Sequence, residues 1–246
     1  DVSAELLRPF SAIQSTLGAV GSHDNTLDVL ADQLKAGKSN LTLSSSHVGS
    51  MGGLMAVKKG VCHMAGSHLL DTEDGSYNGR YLKKYIPDID VRLVNLVFRE
   101  QGFIVPKGNP KQVNGIEDIC REDIRFINRQ SGSGTRILLD YRLEQSEIDA
   151  GMINGYEMEE FTHMSVAVAV LSGTVDVGLG IYAAAKALDL DFIPMVTEQY
   201  DLVIPQIYID MHQMQILLDI INSGVFKKRV EALGGYSTKK TGTIIL

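Results

Sequence analysis

Five short stretches bring small and hydroxyl residues together where a strand pattern gives way to a helical one: GSHD at 21–24, SSSHVGS at 44–50, AGSH at 65–68, SGSGTR at 131–136 and FTH at 161–163. A helix start leaves several backbone N–H groups unpaired and carries about half a positive charge. Where no bulky side chain intervenes, an anion can bond those groups directly. The turn at 131–136 is the richest. Gly132 and Gly134 remove bulk, Ser133 and Thr135 add hydroxyls, and Arg136 offers a charged fork for two oxygens. Serine and threonine are favoured helix N-caps in any case, so capping suffices at any single junction. Recurrence at four or five junctions, with glycines that capping does not require, points instead to an anion held by several turns at once. Arg136 has a second option in Asp140, one helical turn on.

Other chemistries fit less well. SHD at 22–24 has the residue types of a hydrolytic triad, but three consecutive residues cannot form the relay, and no G-x-S-x-G elbow occurs. Cys62, His63 and His68 are metal ligands in kind, yet neighbouring strand residues point to opposite faces and no second cluster completes a site, so no metal is expected. GSGTRI lacks the third glycine of a dinucleotide fingerprint, and no G-K-[ST] marks a P-loop. In TVDVGLGI the alternation puts Val175, Val177 and Leu179 on one face and Asp176, Gly178 and Gly180 on the other. Asp176 reads first as a strand-end acid holding Arg136 or a helix start, and second as a base. Tyr200 can either offer its hydroxyl to a cleft or pack at a hinge.

These residues need elements to position them. LGAVGSHD, LTLSSS and VCHMAGSH read as strands alternating with helices over NTLDVLADQLKAG and HVGSMGGLMAVKKG, the order of an α/β fold with a parallel sheet. A short helix over RYLKKYI precedes the long apolar run DVRLVNLVFREQGFIV. A second cycle follows: strand EDIRFIN, the helix after SGSGTR, helix THMSVAVAVLSG, strand TVDVGLGI, helix YAAAKALDL and strand DFIPMV. EQYDLVIPQ is another extended run, and two amphipathic helices close the chain, with Met214, Leu217, Leu218 and Ile221, then Phe226, Val230 and Leu233, on their faces. The extended runs bracket the second cycle. Residues 1–103 with 204–246 therefore form one lobe and 104–203 an inserted second, each a mainly parallel sheet flanked by helices, joined by two crossover hinge strands around a cleft.

Composition limits the function. The 246 residues carry 23 Lys+Arg against 30 Asp+Glu, and the basic residues form no stripe, so direct nucleic-acid binding is disfavoured. No apolar run approaches the ~20 residues of a membrane span. Cys62 and Cys120, without metal spacing, fit reduced thiols in a cytoplasmic protein. No signal-peptide pattern opens the sequence, and because it begins at Asp1 a mature chain or an excised domain is expected.

SSSHVGSMGGLMAVKKGVCHMAGSHLLD, NRQSGSGTRILLDYRL, GYEMEEFTHMSVAVAVLSGTVDVGLGIYAAAKALDLDFIPM and YDLVIPQ together resemble the periplasmic-binding-protein-like domain attached to MoeA-type molybdopterin biosynthesis proteins and to helix-turn-helix regulators. The resemblance spans nearly the whole chain. It implies a type II periplasmic-binding-protein fold related to molybdate and tungstate binding proteins, with Ser133, Gly134 and Thr135 matching an anion-binding turn and Ser22 and Ser46 as first-lobe contacts. GSHDNTL departs from relatives that carry cysteine or glycine before the acid. The expectation is a non-catalytic domain without a cofactor that closes on a small oxyanion, molybdate or tungstate. Its contacts would be Ser22, His23, Ser46, His47, Val48, Gly49, Ser133, Gly134, Thr135, Arg136, Thr162, His163, Asp176 and Tyr200. The implied partner is a fused or associated molybdopterin-biosynthesis or DNA-binding module, and a homodimer stays open. Two alternatives stand beside it: a sensor of a small organic acid, and an enzyme of molybdopterin metabolism using His163 and Asp176.

Overall fold

The structure, a computed structural model, describes residues 15–37 and 41–246; the first fourteen residues assigned to the first lobe lie outside these. Strands β1 (Thr16–Gly21), β2 (Thr42–His47) and β3 (Met64–Ser67) alternate with helices α1 (Asn25–Ala36) and α2 (Gly49–Lys58). After α3 (Gly79–Tyr85) comes the long strand β4 (Val91–Val105). The second cycle comprises β5 (Phe126–Arg129), α4 (Gly134–Gln145), β6 (Glu159–Glu160), α5 (His163–Leu171), β7 (Val177–Ile181) and α6 (Tyr182–Ala187). Strand β8 (Asp191–Pro205) returns to helices α7 (Gln206–Ile209), α8 (His212–Asn222) and α9 (Gly224–Leu233) and the short strand β9 (Tyr236–Ser237).

Among the described residues these strands form one mixed sheet in the order β2-β1-β3-β8-β4-β7-β5-β6, with β9 added to β4. Pairing is parallel from β2 to β3 and from β7 to β6, as the β-α alternation predicts, but antiparallel wherever β4 or β8 takes part. DFIPMV and YDLVIPQ are not two strands. They merge into β8, which pairs with β4 along almost its full length, from Val91 opposite Pro205 to Val105 opposite Asp191. Two apolar runs of equal length satisfy each other's backbone groups, so a turn at Thr197–Gln199 gains nothing.

Apart from the edge strands β2 and β6, each half of the sheet is largely covered on both faces. Leu27, Leu30 and Leu34 of α1 pack with Met214, Leu217 and Ile221 of α8 and Phe226 and Val230 of α9, while Leu54, Val57, Leu69 and Leu82 cover the opposite side. In the second half, Leu139 and Leu143 of α4 join Phe103, Phe126 and Val177, and Val166 and Val170 of α5 join Ile104, Ile127 and Ile181. Both tail helices thus present the faces their spacing predicts. Along β4 the change from one core to the other falls between Val97 and Phe103, and along β8 between Met195 and Tyr200. A register shift between Asn95 and Val97 and another between Gln101 and Gly102 interrupt the ladder near that change. Bulges of this kind increase local twist and re-aim side chains. They bring Arg99 and Gln101 under the junction of the halves.

β7 departs from simple alternation. All five of its residues are buried, because helices cover the sheet on both sides. A Cβ at Gly178 would stand within 2.4 Å of Val166, so glycine there lets α5 lie directly on the strand.

Candidate functional site

The C-terminal ends of β1, β3 and β5 and the starts of α1, α2, α4 and α5 converge at the junction between the two halves. Asp24 caps α1 by accepting from Thr26 N, and Ser133 caps α4 by accepting from Arg136 N. Thr162 and Ser165 form a capping box at α5. The halves touch. A Cβ at Gly49, where φ is +78°, would lie 3.1 Å from the Gly132 carbonyl, and one at Gly134 would lie 2.5 Å from the His68 ring. Gly134 therefore lets the start of α4 close onto β3.

Beneath this contact lies a buried charged network. Arg99, fully buried, pairs with Glu198 through Nε and with Asp24 through Nη1. His68 Nδ1 lies 3.0 Å from Glu198 Oε2, and its Nε2 lies 2.8 Å from Ser22 Oγ. Burial alone would raise the Glu198 carboxyl, but Arg99 and His68 reverse this and bring it down to about 2. The Gln101 amide faces this carboxylate, so its nitrogen is the group that donates, at 2.7 and 3.1 Å to the two oxygens and 3.3 Å to Thr135 Oγ1. Tyr236 donates to Asp24, and Tyr200 donates to the Ser22 carbonyl at 2.6 Å.

Arg129, at the end of β5, differs from Arg99. It is fully buried, and its bonds go to the Gln130 side chain, the Glu160 and Phe161 carbonyls and His163 Nδ1; among the described residues it forms no ion pair with a carboxylate. Burial first, and then repulsion from Arg99, lower its guanidinium to about 9. A guanidinium carries five N–H groups, and these contacts leave one on each terminal nitrogen unused. Since arginine only donates, His163 Nδ1 must accept, so His163 carries its proton on Nε2. That Nε2 is buried without a partner among the described residues, as are Gln130 Nε2 and Arg99 Nη2. Burial, then Arg129 and Arg99, hold His163 far below its usual pKa, which keeps it neutral. Buried donors without partners cost about 1–3 kcal/mol each. Unused donors among the described residues thus lie on β4, on β5 and the turn after it, and on α5.

The expected contacts divide accordingly. Ser22, His23, Ser133, Gly134, Thr135 and His163 come together at the junction, and His47 joins them through an edge-on ring contact with His23 at 4.5 Å. Val48 and Gly49 form the turn against Gly132. Ser46 lies exposed on the edge strand β2, and Thr162 is engaged in the α5 cap. Tyr200 is a buried support under Ser22 rather than a cleft donor.

Two expectations are corrected. Arg136, itself buried, is paired with Asp140 at 3.2 Å and Glu159 at 3.3 Å and lies 3.9 Å over the Tyr156 ring. Two carboxylates near its helix claim it. Asp176 sits before β7, at the far end from the junction, where it holds Arg125. It therefore cannot pair with His163. Sequence reasoning missed Arg99, Arg129, Gln130, His68 and Glu198. Arg129 and Gln130 stood inside the singled-out stretch NRQSGSGTR, but which of two arginines is paired depends on which carboxylates lie near each.

The architecture is a two-halved α/β sheet with helix starts and unpaired donors at the junction of the halves. The chain matches the PBP superfamily domain over residues 31–222 and belongs to that family. It is 36% identical over 227 residues, 92% of this chain and 73% of the relative, to the Bacillus subtilis (strain 168) protein YvgK, described as uncharacterized. Its fold matches a putative phosphate ABC transporter substrate-binding protein with bound phosphate from Clostridium perfringens, with TM-score 0.65, 14% identity, and 89% of this chain and 97% of that one covered. It also matches the tungstate ABC transporter structure from Geobacter sulfurreducens, with TM-score 0.62, 15% identity and 89% and 99% covered. The chain thus has the type II periplasmic-binding-protein-like fold.

Proposed function

We propose that the domain closes on one small tetrahedral oxyanion, molybdate or tungstate foremost, and reports the bound state to a fused or associated module of molybdopterin biosynthesis or transcription. The observation that carries the anion is Arg129, a fully buried guanidinium that among the described residues makes no ion pair with a carboxylate and leaves two N–H groups unused. Glu198 and Glu160 offset its charge only from beyond ion-pair distance, so a negative group in direct contact would stabilise it. His163 Nε2, Gln130 Nε2 and Arg99 Nη2 supply further donors, and the turn at 132–135 supplies backbone N–H groups from the second half of the sheet. Bonds to a charged group contribute about 1.5–3 kcal/mol each, so four or five outweigh ligand immobilisation and support micromolar binding. The fold neighbours that carry phosphate and tungstate in their descriptions are consistent with this class of ligand. Two unpaired thiols, Cys62 and Cys120, accord with a cytoplasmic location.

The test is calorimetry and thermal shift with molybdate, tungstate, phosphate, sulfate and a panel of carboxylates. A ligand at about 100 times its Kd stabilises by ~2.7 kcal/mol, or several degrees in a domain of this size. Response to tungstate and molybdate above the others supports the reading. Response to carboxylates alone replaces it with an organic-acid sensor.

A further inference from the structure

The donors around Arg129 are accompanied by acceptors, which an anion does not want. Glu198 is ionised and only accepts, so His68 Nδ1 must carry a proton toward it. Burial lowers the His68 pKa, and Glu198 restores only part of this, so the ring is neutral and its Nε2 is an acceptor. The Ser22 hydroxyl proton then points at Nε2, 2.8 Å away, and Ser22 Oγ turns only lone pairs toward the site. His23 Nε2 faces Asp28 at 3.5 Å, and its Nδ1 is buried without a partner among the described residues.

We infer that the site takes up its anion together with one proton, lodged on the Ser22–His68–Glu198 relay. This rests on the oxyanion reading above. With a fully deprotonated ion such as tungstate or sulfate, solvent supplies the proton to His68 Nε2. That N–H then donates to Ser22 Oγ, and the serine O–H swings to donate to the anion. With hydrogen phosphate the ligand carries the proton itself, its P–OH donates to Ser22 Oγ, and the relay stays as it is. The surroundings of His68 favour an added charge only once the anion is in place. Glu198 on β8 attracts a second proton, whereas Arg99 on β4 and Arg129 on β5 repel it. Tyr200 on β8 stacks on the ring at 5.8 Å, Ser50 on α2 accepts from the His68 backbone N–H, and Gly134 of α4 covers one edge. An anion beside Arg129 cancels the repulsion.

Calorimetry of the unmodified protein in two buffers of different ionisation heat, at about pH 8, counts the protons. Uptake of about one proton per tungstate or sulfate and about none per hydrogen phosphate is expected. Tungstate affinity should then fall about tenfold per pH unit over the alkaline range, because the bound-state pKa of the relay lies above the free-state one. Binding of tungstate or sulfate with heats that do not depend on buffer overturns the inference. Absence of binding by every oxyanion overturns the functional reading instead. His68→Gln, whose amide can donate without gaining a proton, should bind tungstate with no proton uptake. Uptake that persists in this variant overturns the assignment to the relay.

Discussion

Replacing Arg129 by methionine removes a buried guanidinium that, among the described residues, makes no ion pair with a carboxylate, while keeping a chain of similar length. In the ligand-free protein the loss is modest. The substitution forfeits bonds to the Glu160 and Phe161 carbonyls but also relieves an unpaired buried charge, so unfolding free energy should change by no more than about 2 kcal/mol. Anion binding should suffer far more. Two unused N–H groups, at about 1.5–3 kcal/mol for each charged hydrogen bond, correspond to about 3–6 kcal/mol, or roughly two to four powers of ten in Kd. Isothermal titration with whichever oxyanion the native protein binds measures this directly, and denaturant unfolding without ligand separates it from damage to the fold. Affinity within threefold of the native protein's, in a variant that folds normally, would refute the reasoning that Arg129 is the anion's principal charge partner.

Arg136→Met is the counterpart, since the guanidinium is already held by Asp140 and Glu159. Oxyanion affinity should stay within a few-fold, and the lost partly exposed pairs and ring contact should lower stability by about 1 kcal/mol in chemical unfolding. Gly134→Ala places a methyl group against the His68 ring and carbonyl, so it should prop the halves apart, weaken anion binding at least tenfold, and enlarge the radius of gyration in solution scattering. Acid should destabilise the fold in two steps that circular dichroism can follow. His163 has a folded pKa below its usual value, so its contribution is full above about pH 6.5 and declines as pH falls. Glu198, down to about 2 from 4.5, adds stability that is full above pH 4.5 and lost toward pH 2, on the order of 3 kcal/mol. Glu198→Gln should flatten the lower step.

Much of the architecture is legible in the residues because it depends on near neighbours in the chain. Leu27, Leu30 and Leu34, or Phe226 and Val230, declare a buried helix face by spacing alone, and Ser133 and Thr162 declare helix starts by their side chains. The proposed anion site is half legible for the same reason. Glycines and hydroxyls before a helix mark where backbone N–H groups are bare, and those turns do meet.

The sequence by itself thus determined the α/β alternation, the long runs that link the halves, and the turns whose backbone can face an anion, since each follows from local backbone chemistry. Only the tertiary structure decided which charges surround that place. Arg136 and Arg129 lie seven residues apart and both are buried, yet one is paired with Asp140 and Glu159 while the other sits beside His163. Glu198, His68 and Ser22 come from three distant segments into one hydrogen-bonded chain. Electrostatic partnership depends on distance in space and on exclusion of water, and neither is written in the order of residues.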